Sequence, residues 1–141
     1  IGGEESGGFG FRGHVPERDG ILAALYFLDM MVKTGKSPSQ LIDYLYSKVG
    51  PHHFNRVDVH FPAPERQAII ERVQRSQPEY LGGDKVERLD TTDGFRFILA
   101  NTSWLLIRFS GTEPLLRIYA ESSTPARVEK LLNLGRKMAG V

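Results

Sequence analysis

The stretch Arg108-Phe109-Ser110-Gly111-Thr112-Glu113-Pro114 gathers the groups that hold an oxyanion. It offers a guanidinium, two hydroxyls and the N–H groups of a glycine-containing bend. Side chains alternate along a strand, so Arg108 and Ser110 are expected on one face. Gly111 lets the backbone turn closely and present successive N–H groups, and such a concave run of amides is an anion nest. Ser110 and Thr112 add hydroxyl donors. The planar fork of Arg108 grips two oxygens of a phosphate at once. Arg117, just beyond the bend, adds a second positive charge. An ordinary hairpin turn with a surface arginine has similar composition, and spacing alone does not separate the two.

A second cluster lies at the start of the chain, Gly3-Glu4-Glu5-Ser6-Gly7-Gly8. Carboxylates accept paired hydrogen bonds from vicinal sugar hydroxyls, and glycines let a backbone come close to a ring. The plain alternative is a solvated acidic loop. Glu4 and Glu5 are adjacent, so their side chains diverge, which argues against a general acid–base pair.

Other motifs carry less. Gly35-Lys36-Ser37 resembles the end of a nucleotide-binding loop, but that pattern needs glycine at position 30, which is Met30. His52, His53 and His60 lack carboxylates at ligand spacing and read as polar loop and strand. His14 has no nucleophile to serve. Asn101-Thr102-Ser103 reads as turn chemistry rather than a glycosylation site. Trp104 reads as core or sheet face.

The chain that must position these groups has 141 residues, 40% hydrophobic and 25% charged, enough for a packed core. Its formal net charge is +1, so no global field attracts nucleic acid or an anionic membrane, and neither is expected as a partner. There are no cysteines, which excludes disulfides, thiolate nucleophiles and cysteine-ligated zinc. No apolar run approaches the roughly 20 residues that span a bilayer.

Asp19 is a candidate N-cap for a helix near 20–34, with Ile21, Leu25, Leu28 and Val32 as its apolar face and Gly35 at its end. Ser37, Pro38 and Gln40 form a capping box for a second helix, whose inward face is Leu41, Ile42, Leu45 and Val49. Two helices with a loop are poor material for a domain and look like the end of a layer whose sheet is missing. The second unit starts near Phe54. A strand over 56–61, a helix from Pro64 to Ser76 and four further strands follow. Those strands cover 85–89, 94–100, 103–109 and 116–121, with Thr92-Asp93-Gly94 as a hairpin turn. A last helix spans Pro125 to Ala139. This order gives an α+β fold, an antiparallel sheet covered on one side by two helices. The boundary is placed between residues 1–53 and 54–141.

Gly-Glu-Glu-Ser-Gly-Gly followed roughly 100 residues later by Arg-Phe-Ser-Gly-Thr-Glu-Pro-Leu-Leu-Arg-Ile resembles the α-D-phosphohexomutase superfamily, which includes phosphoglucomutases and phosphomannomutases. The likeness covers nearly the whole chain. In that family four domains surround one active site. The resemblance implies that 1–53 is the end of the third, α/β domain. It implies that 54–141 is the fourth, with a fold like the TATA-binding protein. It assigns Glu4 and Ser6 to sugar hydroxyls, and Arg108, Ser110, Gly111 and Thr112 to the substrate phosphate. Some relatives have histidine where this chain has Gly8, and that histidine's contribution does not carry over.

The resemblance further implies interconversion of hexose 1-phosphate and hexose 6-phosphate in the cytoplasm. The expected sugar is glucose or mannose, with glucosamine a less favoured choice. The reaction passes through a phosphoserine and a hexose 1,6-bisphosphate intermediate. The reacting serine loop and the aspartate-rich Mg2+ loop of the family are absent from these residues. The chain opens on Ile1 and carries no catalytic residue or metal ligand of its own. It is therefore expected to be an inactive carboxy-terminal piece whose partners are a phosphorylated hexose and the missing N-terminal domains. The competing reading is a stand-alone anion-binding or protein-interaction module.

Overall fold

The computed structural model describes residues 1–4 and 7–141. Glu5 and Ser6 lie outside the described residues, and with them the expected role of Ser6. The chain divides into two compact units, Ile1–Val49 and Gly50–Val141.

The first unit begins with two short strands, β1 (Gly2–Gly3) and β2 (Phe9–Gly10), paired antiparallel. Two helices follow, α1 (Gly20–Thr34) and α2 (Pro38–Val49). Asp19 caps α1 by accepting the Leu22 N–H, and Gly35 ends it in the left-handed region at φ 64°. The capping box of α2 forms as its residue types dictate. The Ser37 N–H donates to Gln40 Oε1 at 2.9 Å, and the Gln40 N–H donates to Ser37 Oγ at 3.4 Å. The expected burial of these helices is not seen. No residue of α1 is buried, and Ile21, Leu25, Leu28 and Val32 are exposed. On α2 only Leu41 is buried, while Ile42, Leu45 and Val49 are exposed. Periodicity specified which side chains share a face, but the described residues of this unit include no sheet large enough to cover that face.

The second unit is an α+β layer pair. Its strands are β3 (His53–His60), β4 (Tyr80–Leu81), β5 (Asp84–Asp90), β6 (Phe95–Leu99), β7 (Trp104–Phe109) and β8 (Leu115–Ser122). They form one sheet in the order β3-β8-β7-β6-β5-β4, antiparallel throughout. Two helices, α3 (Arg66–Ser76) and α4 (Pro125–Ala139), cover one face. Strand alternation decides what faces them. Leu105 and Ile107 of β7, with Leu116, Ile118 and Ala120 of β8, are fully buried against Ile69, Val73, Val128, Leu131 and Leu132. The intervening residues Trp104, Leu106, Arg108, Arg117 and Tyr119 take the opposite face.

Two glycines let elements approach closely. Gly135 of α4 leaves no room for a methyl group, which would sit 2.7 Å from Ile118 Cγ2 and 3.1 Å from Leu105 Cδ1. Gly94, in the turn before β6, has φ 103°, and a Cβ there would meet the Ile107 carbonyl oxygen at 2.6 Å and Arg108 Cα at 3.1 Å. The β5–β6 turn therefore rests against the backbone that carries Arg108.

Candidate functional site

The bend between β7 and β8 is held at its base and open at its tip. The Ser110 N–H donates to the Leu115 carbonyl at 2.8 Å, and the Leu115 N–H to the Glu113 carbonyl at 2.8 Å. The Phe61 N–H donates to the Pro114 carbonyl at 3.2 Å, tying the bend to the end of β3. Among the described residues the N–H groups of Gly111, Thr112 and Glu113 have no hydrogen-bond partner. Three consecutive free amides are what an anion nest requires. Ser110 is buried, whereas Gly111, Thr112 and Glu113 are exposed.

Gly111 owes nothing to backbone strain. It lies outside the left-handed region, and a Cβ built there meets nothing within 4 Å. The close turn expected of Gly111 therefore does not depend on a positive φ, and a Cβ would be accommodated on this backbone. What glycine provides is empty space over the amides.

Arg108 and Arg117 stand directly opposite each other in the β7–β8 ladder, on the face away from the helices. Opposed like charges destabilise a sheet by themselves. Arg108 Nε lies 3.3 Å from Asp93 Oδ2, and that carboxylate is largely exposed. Arg117 Nε is buried with no hydrogen-bond partner among the described residues. Its neighbour on β3, Asp58, is paired instead with Arg56 Nε at 3.0 Å. The sheet thus holds two opposed guanidiniums on the strands that flank a bend with three free amides, and Arg108 contacts one largely exposed carboxylate. That arrangement attracts an anion.

Sequence reasoning missed Arg66, the first residue of α3. Its Nη1 donates to the Ser110 carbonyl at 3.1 Å, and its guanidinium lies 4.9 Å from the centre of the Phe109 ring. With Phe61, Ala63 and residues 111–114 it lines a cavity of about 240 Å³ on the helical side of the bend. A basic residue on an exposed helix turn 44 positions away in sequence carries no local mark of such a contact.

In the first unit the glycine-framed loop closes on itself. The Glu4 N–H donates to the Gly8 carbonyl at 2.9 Å and the Gly7 N–H to the Glu4 carbonyl at 3.0 Å. The Glu4 carboxylate accepts from Arg18 Nη1 at 2.8 Å. Arg18 also bonds Glu17, so both carboxylates raise its pKa and it stays charged. The Arg18 Cδ atom lies 2.6 Å from where a Cβ on Gly8 would sit, so the arginine stem occupies the space that glycine leaves. Glu4, Gly8, Glu17 and Arg18 line an open cavity of about 410 Å³.

His14 is not a lone imidazole. Its Nε2 lies 2.7 Å from Asp19 Oδ2 and supports the cap of α1. The Leu22 N–H first, and then His14, hold the Asp19 carboxyl below the ordinary aspartate range. His52 Nδ1 likewise contacts Glu121 at 2.9 Å. Trp104 lies half-buried on the open face of the sheet, with Arg96 over its ring. Among the described residues no group of three or more histidine, aspartate or glutamate side chains could hold a metal ion. No helix among them is long and apolar enough to cross a membrane.

Comparison with known proteins adds lineage to this geometry. The family model for the alpha/beta/alpha domain III of phosphoglucomutase/phosphomannomutase matches residues 1–49, and the model for its C-terminal domain matches residues 59–134. A phosphoglucomutase/phosphomannomutase of Thermococcus kodakarensis is 35% identical over 138 residues, covering 98% of this chain and 28% of that protein. A phosphoglucosamine mutase of Methanococcus maripaludis is 34% identical over 141 residues, covering 98% of this chain and 29% of its own length. A phosphoglucosamine/phosphogalactosamine mutase of Sulfurisphaera tokodaii is 29% identical over 138 residues, 96% of this chain and 28% of the relative. The chain therefore spans less than a third of the length of these curated relatives.

Proposed function

The chain belongs to the phosphoglucomutase/phosphomannomutase family, and from that premise we propose that it supplies substrate-binding residues to a phosphohexomutase. In this reading the whole protein is an isomerase that interconverts hexose 1-phosphate and hexose 6-phosphate. The bend after β7 binds the phosphate that is not reacting, through Arg108, Ser110, Gly111 and Thr112, with Arg117 beside them. The observation that carries the reading is the trio of unpartnered amides at Gly111, Thr112 and Glu113 next to two opposed guanidiniums.

Phosphoryl transfer is catalysed mostly by positioning and charge stabilisation. A mutase must hold the idle phosphate at either end of the sugar. A nest with an arginine fork suits that task because it recognises a dianion and ignores what is attached. Glu4, and Ser6 beside it in sequence, are assigned to sugar hydroxyls. Neither loop provides the reacting nucleophile. The phosphoserine, the Mg2+ site and the turnover through a hexose 1,6-bisphosphate belong to the rest of the protein, and the 141-residue chain alone is proposed to be inactive. A cytoplasmic setting accompanies the substrate class, since phosphorylated sugars do not cross membranes freely.

Glucose and mannose phosphates are the proposed substrates. The amino-sugar names among the relatives make glucosamine phosphate the comparison that matters. A coupled assay of the full-length protein against glucose, mannose and glucosamine 1-phosphates tests this. Turnover of the first two, abolished or strongly weakened by Arg108→Ala, is expected. Preference for the amino sugar refutes the substrate assignment. No turnover of any of them, with phosphate binding intact, favours a non-catalytic anion-binding module.

A further inference from the structure

We propose that Arg66 is a positioning residue that locks the Ser110–Gly111 peptide so that the Gly111 N–H faces the substrate phosphate. The inference rests on the reading of the bend as a phosphate site, and it concerns a residue outside the sequence motif.

In a trans peptide the carbonyl of one residue and the N–H of the next lie in one plane and point in opposite directions. Arg66 Nη1 donates to the Ser110 carbonyl at 3.1 Å. The Gly111 N–H is therefore directed away from Arg66. Arg66 stacks over Phe109, whose ring packs against the core on the helical side. Arg108 and Arg117 lie on the other side. The orientation that Arg66 imposes thus turns the first nest donor towards the two guanidiniums.

The lock is needed because the site is loose without it. Flipping a peptide rotates ψ of one residue and φ of the next, and Gly111 tolerates every φ. A cavity of about 240 Å³, lined by Arg66 and Gly111 among others, adjoins the bend. The Ser110 N–H is fixed by Leu115, so the next peptide plane is the first one free to rotate. Stacking on Phe109 limits where the guanidinium can go, and a cation held over an aromatic face is stabilised there. With the peptide flipped, a carbonyl oxygen would face the anion.

The test is a titration of the isotopically labelled full-length protein with inorganic phosphate, followed at the amides of Gly111, Thr112 and Glu113. Wild type, Arg66→Met and Arg66→Lys are compared. In wild type the three amides are expected to shift and saturate. In Arg66→Met affinity is expected to fall about tenfold, the scale of one lost hydrogen bond. The Gly111 resonance should broaden through conformational exchange while the Ile69 and Val73 amides of α3 stay in place. Arg66→Lys, which keeps a donor but not the planar stack, should lie between them.

Unchanged affinity and an unchanged Gly111 resonance in Arg66→Met overturn the inference and leave the phosphate loop standing. Weakened binding with a sharp, unshifted Gly111 resonance also overturns it, because Arg66 would then act by charge alone. Failure of the wild-type bend to respond at all removes the phosphate reading and this inference with it.

Discussion

Arg108→Ala separates binding from folding. A hydrogen bond to a charged group contributes about 1.5–3 kcal/mol. Arg108 must first release Asp93, an exposed contact at 3.3 Å, at a cost of about 0–1 kcal/mol. The substitution removes both effects, so binding of a hexose phosphate should weaken by about 0.5–3 kcal/mol, or roughly 2- to 150-fold. Stability should move the other way or not at all. Losing the Asp93 contact costs about 0–1 kcal/mol. Removing one of two opposed like charges returns about 0.2–1 kcal/mol. The net is close to zero. Isothermal titration of the full-length protein with glucose 1-phosphate, beside a thermal melt, measures both. The expected result is a loss of affinity at an unchanged or slightly raised melting temperature. Unchanged affinity, or a loss of affinity matched by a drop in stability, refutes the reasoning.

Three other substitutions or conditions bear on separate links. Gly111→Ala should leave the melting temperature unchanged, because a Cβ there meets no protein atom within 4 Å, yet its methyl group should weaken phosphate binding in a titration. Gly135→Ala should destabilise the second unit by about 1–3 kcal/mol in chemical denaturation, since its methyl group would press on Ile118 and Leu105. Asp19 has a folded-state pKa below its ordinary value of 3.8. Its cap on α1 is therefore fully present above that value and is lost as pH falls through the lower folded one. The Leu22 amide should stay protected from hydrogen exchange until that acid range, and in Asp19→Asn its protection should lose this acid-dependent step.

Much of the second unit was legible because its elements carry local marks. The last helix begins at Pro125 after the Thr124 cap and ends at Ala139 before Gly140, as its punctuation implies. The Thr92-Asp93-Gly94 turn lies between β5 and β6, and alternation fixed the core face of β7 and β8. The short strand β4 was not foreseen, since two residues have no period. In the first unit the helices were readable but their burial was not, because an apolar stripe specifies a face and not what covers it. At the site, the bend and both strand arginines were visible as a motif. The cross-strand opposition of Arg108 and Arg117 depends on register, and the reach of Arg66 on the packing of α3. Neither is written in any window of sequence.

The claim on which the account stands is that the amides of the β7–β8 bend bond directly to a phosphate. Scalar coupling across those hydrogen bonds, between the phosphorus of bound glucose 6-phosphate and the backbone nitrogens, detects this bonding directly. The account predicts measurable coupling at one or more of Gly111, Thr112 and Glu113, and none at the turn of Gly82 and Gly83. Saturated ligand with no coupling or shift at the bend, and contacts elsewhere on the protein, would contradict it.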